Sequence, residues 1–294
     1  MTTDWIAADW GTTNLRLWAM SGRTVVERRA LECGMGRLRP DEFAPALAQG
    51  TQGWPAVPVI ACGMVGARQG WIEAPYVAVP CPSTPRLIPV PGDPGGRPVR
   101  IVCGVRQDSP ADVMRGEETQ IAGLLSLSPE FDGIACLPGT HTKWIRISAG
   151  EICNFKSFMT GEIFALLSRQ SVLRHAVDSL GNDTDAFQAA MSDAMSRPER
   201  GYAGLFQIRA ESLLTDMDAA TARARLSGTL IGWELAGAKP WWLGNAVTII
   251  GAPDLSLLYQ RALSAQGVPA ALMSAEDATL AGLAAAHRAF LNGF

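Results

Sequence analysis

The stretch Ala8-Asp9-Trp10-Gly11-Thr12-Thr13-Asn14-Leu15-Arg16 puts an aspartate at the end of an apolar strand, with a glycine and two hydroxyl residues in the turn that follows. A carboxylate there is directed at magnesium. The turn beside it offers backbone and hydroxyl donors that can approach a phosphate chain closely, because glycine has no side chain to obstruct them. An ordinary hairpin with polar turn residues would read the same way in isolation. A second turn of this kind lies far downstream, Leu137-Pro138-Gly139-Thr140-His141-Thr142-Lys143-Trp144, again between apolar segments. Two such turns on two halves of a chain suggest a nucleotide clamped between them.

Working outward, the 294 residues suffice for a large core and for two lobes of ordinary domain size. With 48% hydrophobic and 18% charged residues the chain reads as folded rather than disordered. A formal charge of −3 argues against nucleic acid or an anionic membrane as the main partner. Arginine supplies 22 of the 25 basic side chains, leaving only Lys143, Lys156 and Lys239. A lysine that scarce, inside a glycine turn, is a phosphate candidate, although it could equally be a solvated strand residue. The start of the chain has no basic stretch leading into an apolar core, and no apolar run approaches membrane-spanning length, so a cytoplasmic location is expected. The six scattered cysteines contain no C-x-x-C pair and read as small buried thiols. Three histidines without ligand spacing make a zinc site improbable.

The pattern predicts a meander of strands at Trp5 to Asp9, Leu15 to Met20 and Thr24 to Leu31, then a helix at Asp41 to Gln49 and a strand at Val57 to Ala61. Seven prolines between Pro80 and Pro98 read as a rigid surface loop with one short edge strand, Leu87 to Val90. A strand at Val99 to Val105 and a loop from Arg106 to Arg115 lead to a helix opening at Gly116-Glu117-Glu118. From Gly133 the meander pattern is repeated, followed by helices over most of 161–237, a strand at Val247 to Gly251, a helix, the strand Ala270 to Ser274 and a final helix from Glu276. The expected division is a first lobe over 1–115 and a second over 116–294.

These motifs resemble the sugar kinase, actin and heat-shock ATPase superfamily, and within it the 2-dehydro-3-deoxygalactonokinase family. The stretches that carry the likeness are DWGTTNLR (9–16), ACGMVGARQGW (61–71), AP–Y (74–76), MRGEETQIAG (114–123), LPGTHTKW (137–144), MTGE (159–162), SGTLIG (227–232) and DATLAG (277–282). The resemblance implies an α/β fold of two ribonuclease-H-like lobes with mixed sheets and an interlobe ATP cleft. It implies ATP and Mg2+ as cofactors and a sugar acid, 2-dehydro-3-deoxy-D-galactonate, phosphorylated at its 6-hydroxyl. Neither nucleic acid nor membrane is a partner in this reading, and a homodimer is allowed for. One departure is visible: the adenosine-side turn, expected as Gly-Thr or Gly-Ser, reads Gly251-Ala252-Pro253.

On this resemblance Asp9 is assigned to magnesium through water. Gly11, Thr12 and Thr13 face phosphate oxygens, with Gly139, Thr140, His141 and Lys143 opposite and Gly251 on the adenosine side. His141 is alternatively a structural hydrogen-bonding residue. Resembling kinases carry a proton-accepting carboxylate some twenty residues before the second turn, an interval occupied by Glu117 and Glu118. Both lie in a helix's first turn, where the macrodipole favours the ionised form, and Glu117 is preferred because it follows Gly116 directly. Asn14, Arg16, Gly63, Met64 and Arg115 are assigned to the sugar acid, with Arg37, Arg68 and Arg106 as further guanidinium candidates for its carboxylate. Trp71 is a candidate ligand contact, whereas Trp5, Trp18 and Trp144 read as core. The alternatives are a kinase of the same fold acting on another sugar, or a non-kinase ATPase or binding protein. No P-loop or protein-kinase motif set occurs.

Overall fold

The computed structural model describes residues 2–181 and 183–293. In chain order the elements of its first part are β1 (Trp5–Trp10), β2 (Leu15–Ser21), β3 (Thr24–Leu31), α1 (Phe43–Gly50), β4 (Val59–Gly63), β5 (Tyr76–Ala78), β6 (Cys81–Pro82), β7 (Leu87–Pro89), β8 (Val99–Val102), β9 (Gly104–Asp108), β10 (Ala111–Met114) and α2 (Glu117–Leu127). There follow β11 (Gly133–Leu137), β12 (Thr142–Ser148), β13 (Glu151–Phe158), α3 (Thr160–Gln170), α4 (Thr184–Ser196), α5 (Gly201–Leu214), α6 (Ala219–Gly237) and α7 (Lys239–Trp242). The chain closes with β14 (Val247–Gly251), α8 (Pro253–Ser264), β15 (Ala270–Ser274) and α9 (Ala275–Leu291).

Contacts divide the chain into two compact units. The first holds Met1–Asp132, Ile147–Phe155 and Ser274–Phe294; the second holds Gly133–Arg146 and Lys156–Met273. A single boundary at 115/116 does not describe these contacts, because α2 packs on α9 inside the first unit. A Cβ on Gly123 would fall 1.8 Å from the Ala278 carbonyl oxygen, and one on Gly282 1.9 Å from that of Thr119, so both helices can approach only through glycine. This close approach accounts for the glycines of the GEETQIAG and DATLAG stretches.

The first unit's main sheet runs β3-β2-β1-β4-β8-β7 among the described residues. β1 pairs antiparallel with β2 and parallel with β4, so the sheet is mixed and its opening is the expected meander. Both faces are covered. Ile6, Ala8 and Trp10 of β1 pack towards Phe43 and Leu47 of α1, while Trp5 and Ala7 pack towards Leu283, Ala284 and Ala286 of α9. In the second unit β15, β14, β11 and β12 lie in that order, with β11 and β14 parallel. Its core joins Ile134, Trp144 and Ile249 to Phe187, Ile231 and Tyr259.

The segment Arg106 to Arg115, expected as a loop, instead forms a hairpin: β9 and β10 pair antiparallel and β5 adds to β9 in parallel. Its strands mix charged and apolar residues, so no apolar alternation marks it. Among the described residues no helix is long and apolar enough to cross a membrane. The cysteines are free; Cys62 and Cys136 are buried deeply enough that burial raises both thiols well above their ordinary range.

Candidate active site

The turn after β1 is built from local and tertiary bonds. The Gly11 amide donates to the Asn14 carbonyl at 2.9 Å, closing it, and the amides of Met35, Gly36 and Gly34 donate to the carbonyls of Gly11, Thr12 and Thr13, each at 2.9 Å. Gly34 is obligatory, since a Cβ there would lie 2.3 Å from the Thr13 carbonyl carbon. The carbonyls are thus turned inward onto 34–36. The Thr12 and Thr13 amides have no hydrogen-bond partner among the described residues, and their side chains are exposed. Successive unpaired amides of this kind form an anion-binding concavity. The Gly34 to Gly36 brace is a tertiary contact that nothing in 8–16 announces.

Asp9 stands beside this turn with its side chain 24% exposed. Its Oδ2 accepts from Arg16 Nη1 at 3.2 Å, and its Oδ1 lies 3.9 Å from the Cys62 thiol. Burial raises its pKa, and the Arg16 charge offsets only part of that rise. A cation would therefore be welcome at this carboxylate. Among the described residues no three His, Cys, Asp or Glu side chains gather into a protein cage for a metal. A lone carboxylate nonetheless suits magnesium, which keeps much of its water and shares ligands with phosphate.

Gly63 carries the geometry from Asp9 to α2. Its φ is +86°, and an added Cβ would stand 2.7 Å from the Trp10 carbonyl oxygen and 3.4 Å from Asp9 Oδ1. Gly116, at φ +107°, sits so that its own Cβ would be 3.5 Å from the Gly63 Cα. Neither position accepts a side chain without strain. Asp9, Gly63 and the start of α2 are thereby held in one neighbourhood of the first unit, with Glu117 and Glu118 as the next two residues.

Those two carboxylates differ. Glu117 is half-buried and its Oε2 accepts the Arg115 amide at 3.0 Å. Glu118 is 4% exposed, accepting from the Gly116 amide at 2.7 Å and from the Thr119 hydroxyl at 3.1 Å. Burial, reinforced by the charge of Glu117, pushes its carboxyl up to about 8. The expectation that the helix terminus keeps both ionised fails for Glu118, because desolvation outweighs the macrodipole there. Between its ordinary value of 4.5 and about 8 the unfolded chain is ionised at this position while the folded chain keeps its proton. Stability should therefore fall as pH rises through that window, by up to about 1.4 kcal/mol per pH unit. Glu118→Gln, which cannot ionise, is expected to remove this slope. Urea unfolding of both proteins at several pH values between 5 and 8 measures it, and parallel curves would refute the protonated state.

Most of the arginine candidates are already engaged. Arg16 bonds Asp9, Arg37 pairs with Glu32, and Arg106 pairs with Asp108. Arg115 donates to the Ala74 carbonyl at 2.7 Å and stacks on Tyr76 with 4.4 Å to the ring centroid. Its Nη1 is packed where a Gly66 side chain would be, 2.8 Å from the built Cβ, so it pins the Met64–Gly66 turn in place. Asn14 and Arg68 are exposed, and Met64 is half-buried. Trp71 is also half-buried and packs against Trp10 and Phe43, each with centroids 6.1 Å away, which makes it part of the core.

In the second unit the amides of Gly139 and Thr140 likewise lack partners among the described residues. The start of α3 is pressed against this turn: a Cβ on Gly161 would fall 2.2 Å from the Gly139 carbonyl oxygen, and the Glu162 amide donates to the Thr140 carbonyl at 2.9 Å. His141 Nε2 meets Glu162 Oε2 at 2.6 Å on the surface, the structural alternative for that residue. Lys143 is 5% exposed and donates to Ser157 at 2.6 Å, so its ammonium is held between strands rather than presented on the turn. A cavity of about 890 Å³ opens beside Gly139 and Thr140, lined among others by Ser227, Leu255, Leu258 and Tyr259. That volume suits a nucleoside-sized ligand. At Gly251 the missing side chain lets Pro138 and Ser256 close in. α8 then starts at Pro253, and its N-cap residue Ala252 makes no side-chain cap bond, in keeping with the absent hydroxyl.

The family model described as 2-keto-3-deoxy-galactonokinase matches residues 9–286. The chain belongs to the 2-keto-3-deoxy-galactonokinase family. As a member it is a sugar kinase. A protein of Rhizobium meliloti designated a probable 2-dehydro-3-deoxygalactonokinase is 39% identical over 96% of each chain. The 2-dehydro-3-deoxygalactonokinase of Escherichia coli is 35% identical over 99% of this chain and all of its own. A crystal structure of a candidate 2-dehydro-3-deoxygalactonokinase from Sinorhizobium meliloti superposes with a TM-score of 0.88 at 38% identity, covering 97% of this chain and 99% of that one. The activator of 2-hydroxyisocaproyl-CoA dehydratase from Clostridium difficile, solved with bound ADPNP, shares the fold at a TM-score of 0.53 and 12% identity, covering 98% and 96%. Seen within the 2-keto-3-deoxy-galactonokinase family, the matched region takes in both glycine turns and α9 as far as residue 286.

Proposed function

We propose that this kinase transfers the terminal phosphoryl group of ATP to the 6-hydroxyl of 2-dehydro-3-deoxy-D-galactonate in the cytoplasm. The observation that carries this reading is the run from Asp9 through Gly63 and Gly116 to Glu117, which gathers a cation-seeking carboxylate, an amide-rich turn and a second carboxylate in one neighbourhood. The Gly139 and Thr140 amides donate to phosphate oxygens beside the second unit's cavity, which takes the nucleoside. In the first unit the Thr12 and Thr13 amides offer donors of the same kind. Asp9 would hold the magnesium, which when bound would supply neutralising charge on the phosphates.

Glu117 orients the 6-hydroxyl and accepts its proton as the oxygen attacks the terminal phosphorus. The bond from that phosphorus to the bridging oxygen breaks, and ADP leaves with the bonding pair. Glu118, carrying a proton at neutral pH, holds the Gly116 amide instead of acting as base. Coupled ADP-release assays with a panel of sugar acids, followed by phosphorus–proton NMR of the product, test the reading. Turnover confined to 2-dehydro-3-deoxy-D-galactonate with phosphorus coupled to the C6 protons supports it. Hydrolysis of ATP indifferent to every sugar acid would sink it.

A further inference from the structure

The SGTLIG stretch is absorbed by helix packing rather than by chemistry. Side chains on Gly228 and Gly232 would fall 2.3 Å and 2.6 Å from the Phe187 and Met191 carbonyl oxygens, so α6 lies directly on α4. Two residues beyond Gly232, that packing carries Glu234 into the interior at 2% exposure. Its carboxylate is not idle. Oε1 accepts from the Trp144 indole at 2.8 Å, and Oε2 accepts from the Tyr259 hydroxyl at 2.7 Å and from the Thr160 hydroxyl. Tyr259 is bonded in turn to Thr142 at 3.0 Å. One acidic group thus ties β12, α3 and α8 to α6.

We propose that Glu234 is a positioning residue for the nucleotide, an inference that rests on the reading of the second-unit cavity as the nucleoside site. Thr160 is the first residue of α3, and its neighbour Gly161 is the glycine that packs on the Gly139 carbonyl. Tyr259 and Thr160 both line the cavity. Glu234 therefore sets the turn and the cavity wall from behind without touching the ligand. A buried carboxylate with three donors is satisfied; removing it leaves those donors without a partner in a place that water reaches poorly.

The test compares Glu234→Ala, Glu234→Gln and Thr160→Val with the wild-type enzyme, measuring ATP binding by calorimetry and KM for both substrates. Glu234→Ala and Thr160→Val are expected to raise the ATP Kd and KM by about fivefold or more, the scale of one lost buried hydrogen bond, with the sugar-acid KM within about twofold. Glu234→Gln, whose oxygen and amide can still bond the indole and the two hydroxyls, should fall between these and wild type. Should Glu234→Ala fail to fold, Thr160→Val carries the test. Wild-type ATP affinity in the folded variants, or an equal rise of both KM values, overturns the role of Glu234. Leu258→Trp, filling the cavity, addresses the underlying reading separately: an unchanged ATP KM there means the nucleoside binds elsewhere.

Discussion

Replacing Glu117 by alanine is expected to lower kcat by roughly 10²- to 10⁴-fold, the usual contribution of a positioned proton acceptor, while the ATP KM and the fold stay near wild type. The expectation rests on the contrast between two adjacent carboxylates. Glu118 is enclosed, bonded to the Gly116 amide and the Thr119 hydroxyl, and keeps its proton up to about 8. A group protonated at working pH cannot accept a proton from an alcohol. Glu117, half-buried at the same helix start, is the carboxylate left for that work. Its charge also helps hold the proton on Glu118. Removing Glu117 withdraws that charge, and Glu118 should then ionise more readily. Steady-state kinetics of Glu117→Ala beside Glu118→Ala decide the matter. A folded Glu117→Ala enzyme with near-normal kcat would pass the role to Glu118, and a large kcat loss confined to Glu118→Ala would do the same.

The parts of this arrangement that could be read from sequence are those written in consecutive residues. The first meander shows because β1 and β2 are apolar and glycine turns separate its strands, and the two glycine turns at 11–13 and 139–142 show because glycine and threonine stand in them. What stays hidden is what depends on residues distant in the chain. Gly34 to Gly36 turn the carbonyls of the first loop inward, yet nothing local marks them as its brace. α9 returns to the first unit because Gly282 and Gly123 let two helices touch, a pairing across 159 positions that no periodicity reveals. The hairpin of β9 and β10 lacks apolar alternation. Lys143 looks like a phosphate ligand until strand pairing places Ser157 against its ammonium. Nothing in the sequence singles out Glu234, and the glycine contacts between α6 and α4 accompany its burial. The arginines illustrate the same limit, since a guanidinium's partner is chosen by the fold and not by its neighbours in sequence.

Asp9→Asn is expected to cost at least about a hundredfold in kcat and to leave stability unchanged or slightly higher at neutral pH. The two halves of that outcome follow from one fact. Burial raises the Asp9 pKa, so holding the carboxylate ionised at the end of β1 works against the folded state, and Arg16 relieves only part of the cost. A raised folded pKa contributes stability at low pH that is lost as pH rises through it, so an amide that never ionises removes the loss. Arg16, with its side chain 59% exposed, stays solvated when its partner is neutralised, which limits any penalty. The charge that is unfavourable for folding is what a dication would stabilise. Turnover of the wild-type enzyme should therefore saturate with magnesium at lower concentration than any residual turnover of Asp9→Asn. Thermal melts and magnesium titrations of both proteins separate the alternatives. A variant that loses activity only in step with lost stability would make Asp9 a packing residue, and one that keeps wild-type kcat at the same magnesium concentration would remove it from the site altogether.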